Sequence, residues 1–293
     1  MRTLKELRKD IQFNRELGGL IDVLKGIAST QFRHLQAKRE YFIRFISCLE
    51  GFFEAIELAD SGHPFLKPSS SSSSSGIVMI TSDEGFLGEL NSQVINAGLG
   101  LRRQDTDSLI ILGERGAHFL EELGESFLYF PGISEDIRYT QAQVLRDYLI
   151  QQYLKEKFTK VIIVYPKFIS FAFREVTTEQ LLPYLGRGEK SKQETATQTL
   201  NLNLQPDVLF EPSQERIVDY LIRTWMAQKI YDIFWESKLS EWASRVIHLE
   251  ESSQVVAELN KQLRFSYFRT LHSLSDKNIR EIFASRISEK QVA

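Results

Sequence analysis

Hydrophobic and polar positions divide the chain into three textures. In the first, Leu4, Leu7, Ile11, Leu17, Leu20, Leu24, Ile27 and Leu35 recur at helical spacing, with Lys, Arg and Glu between them. The pattern runs on through "YFIRFISCLEGFFEAIEL", so one long helix is predicted over residues 1–60. Gly18 and Gly19 interrupt it. Each costs about 1 kcal/mol relative to alanine inside a helix. The helix therefore either bends there or meets another backbone closely. Pro64 and Pro68 then stop it, and a run of seven serines completes a linker over residues 61–75.

From Gly76 to Pro212 the period changes. "IVMIT", "SLIILG", "FLYF", "KVIIVYPKF" and "FAFREVTTEQLLP" read as strands, and "DVLFEP" as a last short one. Between them, "LNSQVINAGLGLRRQ", "ERGAHFLEEL" and "SEDIRYTQAQVLRDYLIQQYLKEK" read as helices, the last with Ser134 as its N-cap. Strands alternating with helices predict an α/β domain over residues 76–212, with a Rossmann-like, mostly parallel sheet. "GRGEKSKQETATQTLNLNLQ" is a polar loop within it.

Residues 213–293 contain neither glycine nor proline. About 70 residues of helix reach roughly 100 Å, far beyond a globular helix. Leu239, Trp242, Val246, Leu249, Ser253, Val256, Asn260, Leu263, Tyr267, Thr270 and Leu274 alternate spacings of three and four. That is a coiled-coil seam with polar breaks at Ser253, Asn260 and Thr270, which fix register. Two arrangements fit: the terminal helices pair as an antiparallel coil, or the C-terminal helix alone dimerises.

Candidate chemistry is sparse. In "GIVMITSDEGFLGELN" a buried strand meets a glycine loop and a helix, the layout of a phosphate site. The loop is neither G-x-x-x-x-G-K-[ST] nor G-x-G-x-x-G. Asp83, Glu84 and Glu89 would repel phosphate. Gly85 and Gly88 read instead as residues that relax a strand-to-helix turn. His34, His63, His118, His248 and His272 form no metal motif, and no nucleophile elbow is present. One cysteine, Cys48, excludes an internal disulfide and suits a reducing compartment. A net charge of -3 gives no push toward nucleic acid. No signal-peptide core or membrane-spanning run is apparent, so work at a membrane would require partners.

These segments, in this order, resemble the gamma subunit of rotary F-type ATP synthases. "LKELRKDI" stands at the family's basic opening, and "HPFL" resembles the loop after its first helix. "ITSDEGFLGELN" resembles its glycine motif, "VIIVYPKFISFAFREVTTEQLLP" its strand pair, "LFEPS" the entry to its last helix, and "SEWASRVIHL" its Ser-Glu-x-x-x-Arg segment. The resemblance covers almost the whole chain. It implies an antiparallel coil inside a ring of alpha and beta subunits, and an α/β foot beside the epsilon subunit on the membrane rotor ring. Such a stalk couples proton or sodium translocation to ATP synthesis or hydrolysis. The resemblance also implies a subunit with no active site or cofactor of its own, held peripherally at the cytoplasmic face of the plasma membrane. Ring contacts fall on Arg8, Ile11, Arg15, Lys25, Arg269, Leu271, His272, Asp276, Asn278, Glu281 and Ile282. Foot contacts to epsilon and the rotor ring fall on Asp83, Gly85, Gly88, Asn91, Phe210 and Glu211.

Departures mark a divergent member. The family's cysteine in the glycine loop is Leu87 here, and one glycine is Glu89. The charged C-terminal hook of the family, an Arg-Gln pair followed by Thr-x-Glu, reads Leu271, His272, Asp276 and Asn278. Two other readings stand beside the rotor: a gamma-derived interaction protein that no longer rotates, and a nucleotide-using α/β enzyme with a coiled-coil arm.

Overall fold

The computed structural model describes residues 3–38, 63–66, 74–103, 106–171, 173–184 and 213–292. The elements, in chain order, are α1 (Leu4–Lys38), β1 (Ser75–Ile80), α2 (Leu90–Leu101), β2 (Ser108–Leu112), α3 (Glu114–Glu122), β3 (Phe127–Phe130), α4 (Tyr139–Leu154), β4 (Lys160–Phe168), β5 (Arg174–Leu182) and α5 (Gln214–Val292). The expected strand at "DVLFEP" and the residues Cys48, Phe210 and Glu211 lie outside the described residues.

The chain forms two compact units. Met1–Ser29 with Val246–Ala293 make one, and Thr30–Arg245 the other, so both long helices contribute to each.

In the larger unit the sheet order is β3-β2-β1-β4-β5. β1 runs parallel to β2 and β4, β2 parallel to β3, and β4 antiparallel to β5. The alternating pattern thus gives the mostly parallel sheet expected of it. Ile77, Val78 and Met79 are fully buried because β1 is central and covered on both faces. Edge strand β5 mixes polar and apolar residues, as one-sided burial requires. Tyr165 on β4 donates to Glu179 of β5 at 2.8 Å, and Lys229 of α5 meets the same carboxylate at 2.8 Å. Burial, then the Glu179 charge, pushes the Tyr165 phenol up, which keeps it a donor.

One helix start differs from expectation. α4 begins at Tyr139, so Ser134 is not its N-cap. Residues 134–137 form a turn in which the Ile137 N–H donates to the Ser134 carbonyl, and Ile137 takes a positive φ of 40°. That conformation breaks helical continuity. Gln141 reaches back instead: its side-chain oxygen accepts from the Ser134 N–H at 3.2 Å.

In the smaller unit α1 and α5 run antiparallel. Lys25 pairs with Glu250 at 3.0 Å, Asp22 accepts from Ser253 at 3.2 Å, and Gly18 faces Val256. The partner number rises as the α1 number falls. Along α5, Ser253, Val256, Asn260, Leu263, Tyr267 and Thr270 are half-buried while their neighbours are mostly exposed. The predicted seam is therefore present. It fades at Leu274, which is 42% exposed.

The register of α1 differs in detail. Leu7, Ile21 and Ala28 are buried, whereas Leu20 and Ile27 point outward at 57% and 51% exposure. Gly18 and Gly19 do not end α1, which is continuous from Leu4 to Lys38. A Cβ on Gly18 would lie 3.7 Å from the Val256 side chain, an ordinary van der Waals contact, and one on Gly19 would meet nothing within 4 Å, so neither glycine marks a close backbone approach.

Lys25 and Glu250 give this pairing a pH window. Hydrogen bonds to Glu250 and Asp22 hold the Lys25 ammonium above its ordinary range. The bond from Lys25 holds Glu250 below the usual carboxylate range. The lysine contribution is present below its unfolded value and disappears as pH rises through the folded one. The glutamate contribution is present above its unfolded value and disappears as pH falls through the folded one. The contact is expected to hold from mildly acidic to moderately alkaline pH and to weaken in molar salt. A distance probe across residues 25 and 250, titrated in pH and salt, checks this.

Candidate functional site

The glycine loop lies at the C-terminal edge of the sheet beside β1 and β4. There the strand order reverses, which is where open α/β sheets bind ligands. In this chain the crevice is built over by the loop and by α5. The remaining cavity, lined by Thr81, Ser82, Asn91, Pro166, Ser237 and Glu241 among others, measures about 10 Å³. That is room for a single water, not a nucleotide. Small residues let α5 lie this close: Ser240, Ala243 and Ser244 are all buried.

The loop's own carboxylates take up the groups that would meet a phosphate. Asp83 accepts the Glu114 N–H at the start of α3 at 2.9 Å, the position an anion would occupy. Glu84 pairs with Arg245 at 3.2 Å. Gly113 precedes α3 with φ of 102°, and a Cβ there would lie 2.5 Å from the Thr81 carbonyl oxygen. Backbone thus meets backbone where a phosphate loop would leave space.

Two further contacts fix the loop. The Asn91 amide donates to the Ser82 hydroxyl at 2.9 Å and accepts from the Ser82 N–H at 3.2 Å. Ser82 in turn donates to the Glu84 carbonyl at 2.7 Å. Asp83 and Asn91, expected as partner contacts, thus direct polar groups inward. Of the two glycines expected to relax the turn, Gly88 has a positive φ of 59°, while the other left-handed residue of the loop is Phe86 at 64°. Leu87, where the resemblance leads one to expect cysteine, is buried.

Arg245 is the residue that sequence reasoning did not single out. Its Nε donates to the Gly85 carbonyl at 3.3 Å. Its guanidinium meets Glu241 at 2.9 Å and stacks on Trp242 at 4.1 Å from the ring centre. Lys238 meets the other oxygen of Glu241 at 2.9 Å. Lys238, Glu241, Trp242 and Arg245 are all buried. The signal was present: Glu241 and Arg245 are the charged pair of "SEWASR", spaced one helical turn apart.

The expected ring residues lie on the helix pair. Arg8, Arg15, Arg269, His272, Asp276, Asn278 and Glu281 are exposed, and Ile11 and Lys25 are half-buried. Leu271 and Ile282 are exposed at 40% and 56%. The structure brings Lys25 to α5 through Glu250 and gathers the others into no single cluster.

A larger cavity of about 430 Å³ lies between Leu112, Phe130, Gly132, Arg138, Val144 and Phe234. Its walls are mostly apolar. No group of three His, Cys, Asp or Glu side chains suited to a metal occurs among the described residues. No described helix is long and apolar enough to cross a membrane.

Known folds share this plan. A chain of the Euglena gracilis mitochondrial ATP synthase, from its OSCP/F1/c-ring structure, superposes with a TM-score of 0.68 at 12% identity, covering 97% of this chain and 94% of that one. A chain of the Tetrahymena thermophila mitochondrial ATP synthase central stalk and c-ring gives 0.60 at 22% identity, over 80% and 99%. The fold is therefore that of these two chains, a mostly parallel sheet domain with two terminal helices that run back along each other. A family model described as ATP synthase matches residues 3–285. The ATP synthase gamma chains of Cytophaga hutchinsonii and Chlorobaculum parvum are similar at 26% and 25% identity, over 96% and 99% of this chain and 97% and 100% of theirs. The chain belongs to the ATP synthase gamma family.

Proposed function

We propose that this chain is the central-stalk rotor of an F-type ATPase, coupling ion translocation to ATP synthesis or hydrolysis. The observation that carries the reading is the antiparallel helix pair, whose seam is half-buried up to Thr270 and whose outer surface, with residues 271–284, is exposed. A rod of this kind has different side chains on each face. Contacts that differ between the conformations of a ring subunit shift its equilibrium, and a rotating asymmetric rod applies that shift to each site in turn. The chain itself takes no catalytic role; its partners are the alpha and beta subunits, with epsilon and the membrane rotor ring at the foot. It is held peripherally at the cytoplasmic face of the membrane through those partners. The filled crevice beside β1 argues against the nucleotide-using enzyme.

Towards the end of α5, Leu274, Ile279, Ile282 and Phe283 are exposed. In place of a charged hook, apolar contact at Leu271 and Leu274 joins the ring. Replacing Leu271 and His272 together with alanine is expected to weaken ring affinity about tenfold. Binding of purified subunits measures this, and unchanged affinity with unchanged ATPase coupling would remove these positions from the interface.

The altered hook at Leu271, His272, Asp276 and Asn278 also favours a second reading, a gamma-derived interaction protein that does not rotate. Purification of tagged chain from its native cells separates the two. Stoichiometric alpha and beta subunits with ATPase activity support the rotor; recovery without any ATPase partner supports the second reading.

A further inference from the structure

The filled crevice beside β1 is only part of the sheet's carboxyl edge. β2 and β3 end at Leu112 and Phe130, and both residues line the cavity of about 430 Å³. Open α/β sheets bind ligands outside the carboxyl ends of their strands. The volume falls within the roughly 300–1,000 Å³ that holds small molecules. Every lining residue belongs to the sheet-bearing unit. Leu112, Leu145 and Phe234 supply a buried apolar lining. Val144 also lines the cavity and is exposed, so the space reaches solvent.

The polar lining comes from one short segment, Ser134, Arg138, Thr140 and Gln141. Gln141 braces it: its amide donates to the Gly132 carbonyl at 2.6 Å, and its side-chain oxygen accepts the Ser134 N–H at 3.2 Å. Ile137, within the segment, has a φ of 40°. For a β-branched residue that is an outlier, which persists only where the surroundings over-determine it. The rim is thus set before any ligand arrives. No side chain caps the start of α4, so its first N–H groups are left to water or a ligand. A helix start favours negative charge. Arg138, immediately before α4, adds a cation at the same place. Asp136 comes only within 4.0 Å of its guanidinium and both side chains are exposed, so that pair holds Arg138 weakly.

We propose that this cavity binds a small amphipathic carboxylate: an alkyl chain of medium length among Leu112, Leu145 and Phe234, with its carboxylate at Arg138 and the start of α4. Charge complementarity selects this occupant. A neutral hydrocarbon leaves the cationic side without a partner. A phosphate places a strongly hydrated dianion against apolar walls, which costs far more desolvation. A single carboxylate matches one guanidinium and one helix start, and its chain matches the lining. The proposal does not depend on the rotor reading, because every group it uses lies in this one unit.

Decanoate and decanol, titrated into the full chain by calorimetry, test the proposal. Decanoate is expected to saturate one site, and decanol to bind about tenfold more weakly. Arg138 is exposed, so Arg138→Gln leaves the fold intact. It is expected to weaken decanoate about tenfold and to leave decanol unchanged. Val144→Trp occupies the cavity and is expected to weaken both probes at least about tenfold. A diazirine-bearing decanoate, photolysed and mapped by mass spectrometry, is expected to label residues 130–145. Equal decanoate affinity with and without Arg138, equal affinity for the two probes, or label confined to the exposed apolar residues of the helix pair overturns the site. So does the absence of saturable decanoate binding. If the tryptophan variant does not fold, Arg138→Gln and the labelling decide between these outcomes.

Discussion

Arg245→Met is expected to cost about 3–5 kcal/mol of folding stability, read as a lower urea midpoint of the sheet-bearing unit. Arg245 is buried between Glu241, Trp242 and the glycine loop. Methionine fills part of the volume but leaves the buried Glu241 facing Lys238 alone. The loop also loses its clamp at Gly85. Breaking a buried pair by removing one partner costs far more than the pair's net contribution, because the survivor stays desolvated. Arg245→Lys is expected to recover only part of the loss, since an ammonium cannot span both Glu241 and the Gly85 carbonyl while stacking on Trp242. Adding Glu241→Gln to Arg245→Met should then cost less than the sum of the two single changes, and a double-mutant cycle measures that coupling.

Phe234→Ala is expected to cost a similar amount, about 3–5 kcal/mol. Phe234 on α5 is fully buried and forms one wall of the cavity beside α4. Removing its ring extends a space of about 430 Å³ that is already lined by Phe130, Val144 and Leu145. The structure cannot collapse around the change, because α5 is held to β4 by Glu236, which accepts the Phe168 N–H at 3.2 Å. Phe234→Leu should cost about 1–2 kcal/mol, following the smaller volume removed. Chemical denaturation of the three proteins checks the order.

Both residues lie on α5, where sequence reading was strong about the helix and silent about its neighbours. Periodicity placed the seam from Leu239 onward because a three-four spacing reports a buried stripe whatever covers it. It could not report that Glu241 and Arg245, between seam positions, are buried too. Charged residues at helical spacing look like a solvated face until a loop 160 positions away in sequence arrives to cover them. The same limit applied to α1. Leu20 and Ile27 fitted an apolar stripe as well as Ile21 and Ala28 did, and only the partner helix selected which stripe is inside.

The glycine loop shows the limit in the opposite direction. Its sequence excluded the known phosphate motifs and placed carboxylates where phosphate would sit. Those negatives depend on residue type alone and needed no coordinates. The role of each residue did depend on coordinates. Asp83 and Asn91 brace the loop from within, and Phe86, unremarked in the pattern, holds the exposed left-handed position.

The element order, the mostly parallel sheet and a seam compatible with antiparallel pairing were legible in the chain, because each follows from local periodicity and from the residues that interrupt it. Which stripe of α1 faces α5, where α4 begins, and that α5 seals the crevice beside β1 emerged only on folding. Those outcomes depend on contacts between segments distant in the chain, and the free energy of such contacts is not written in the spacing of either segment.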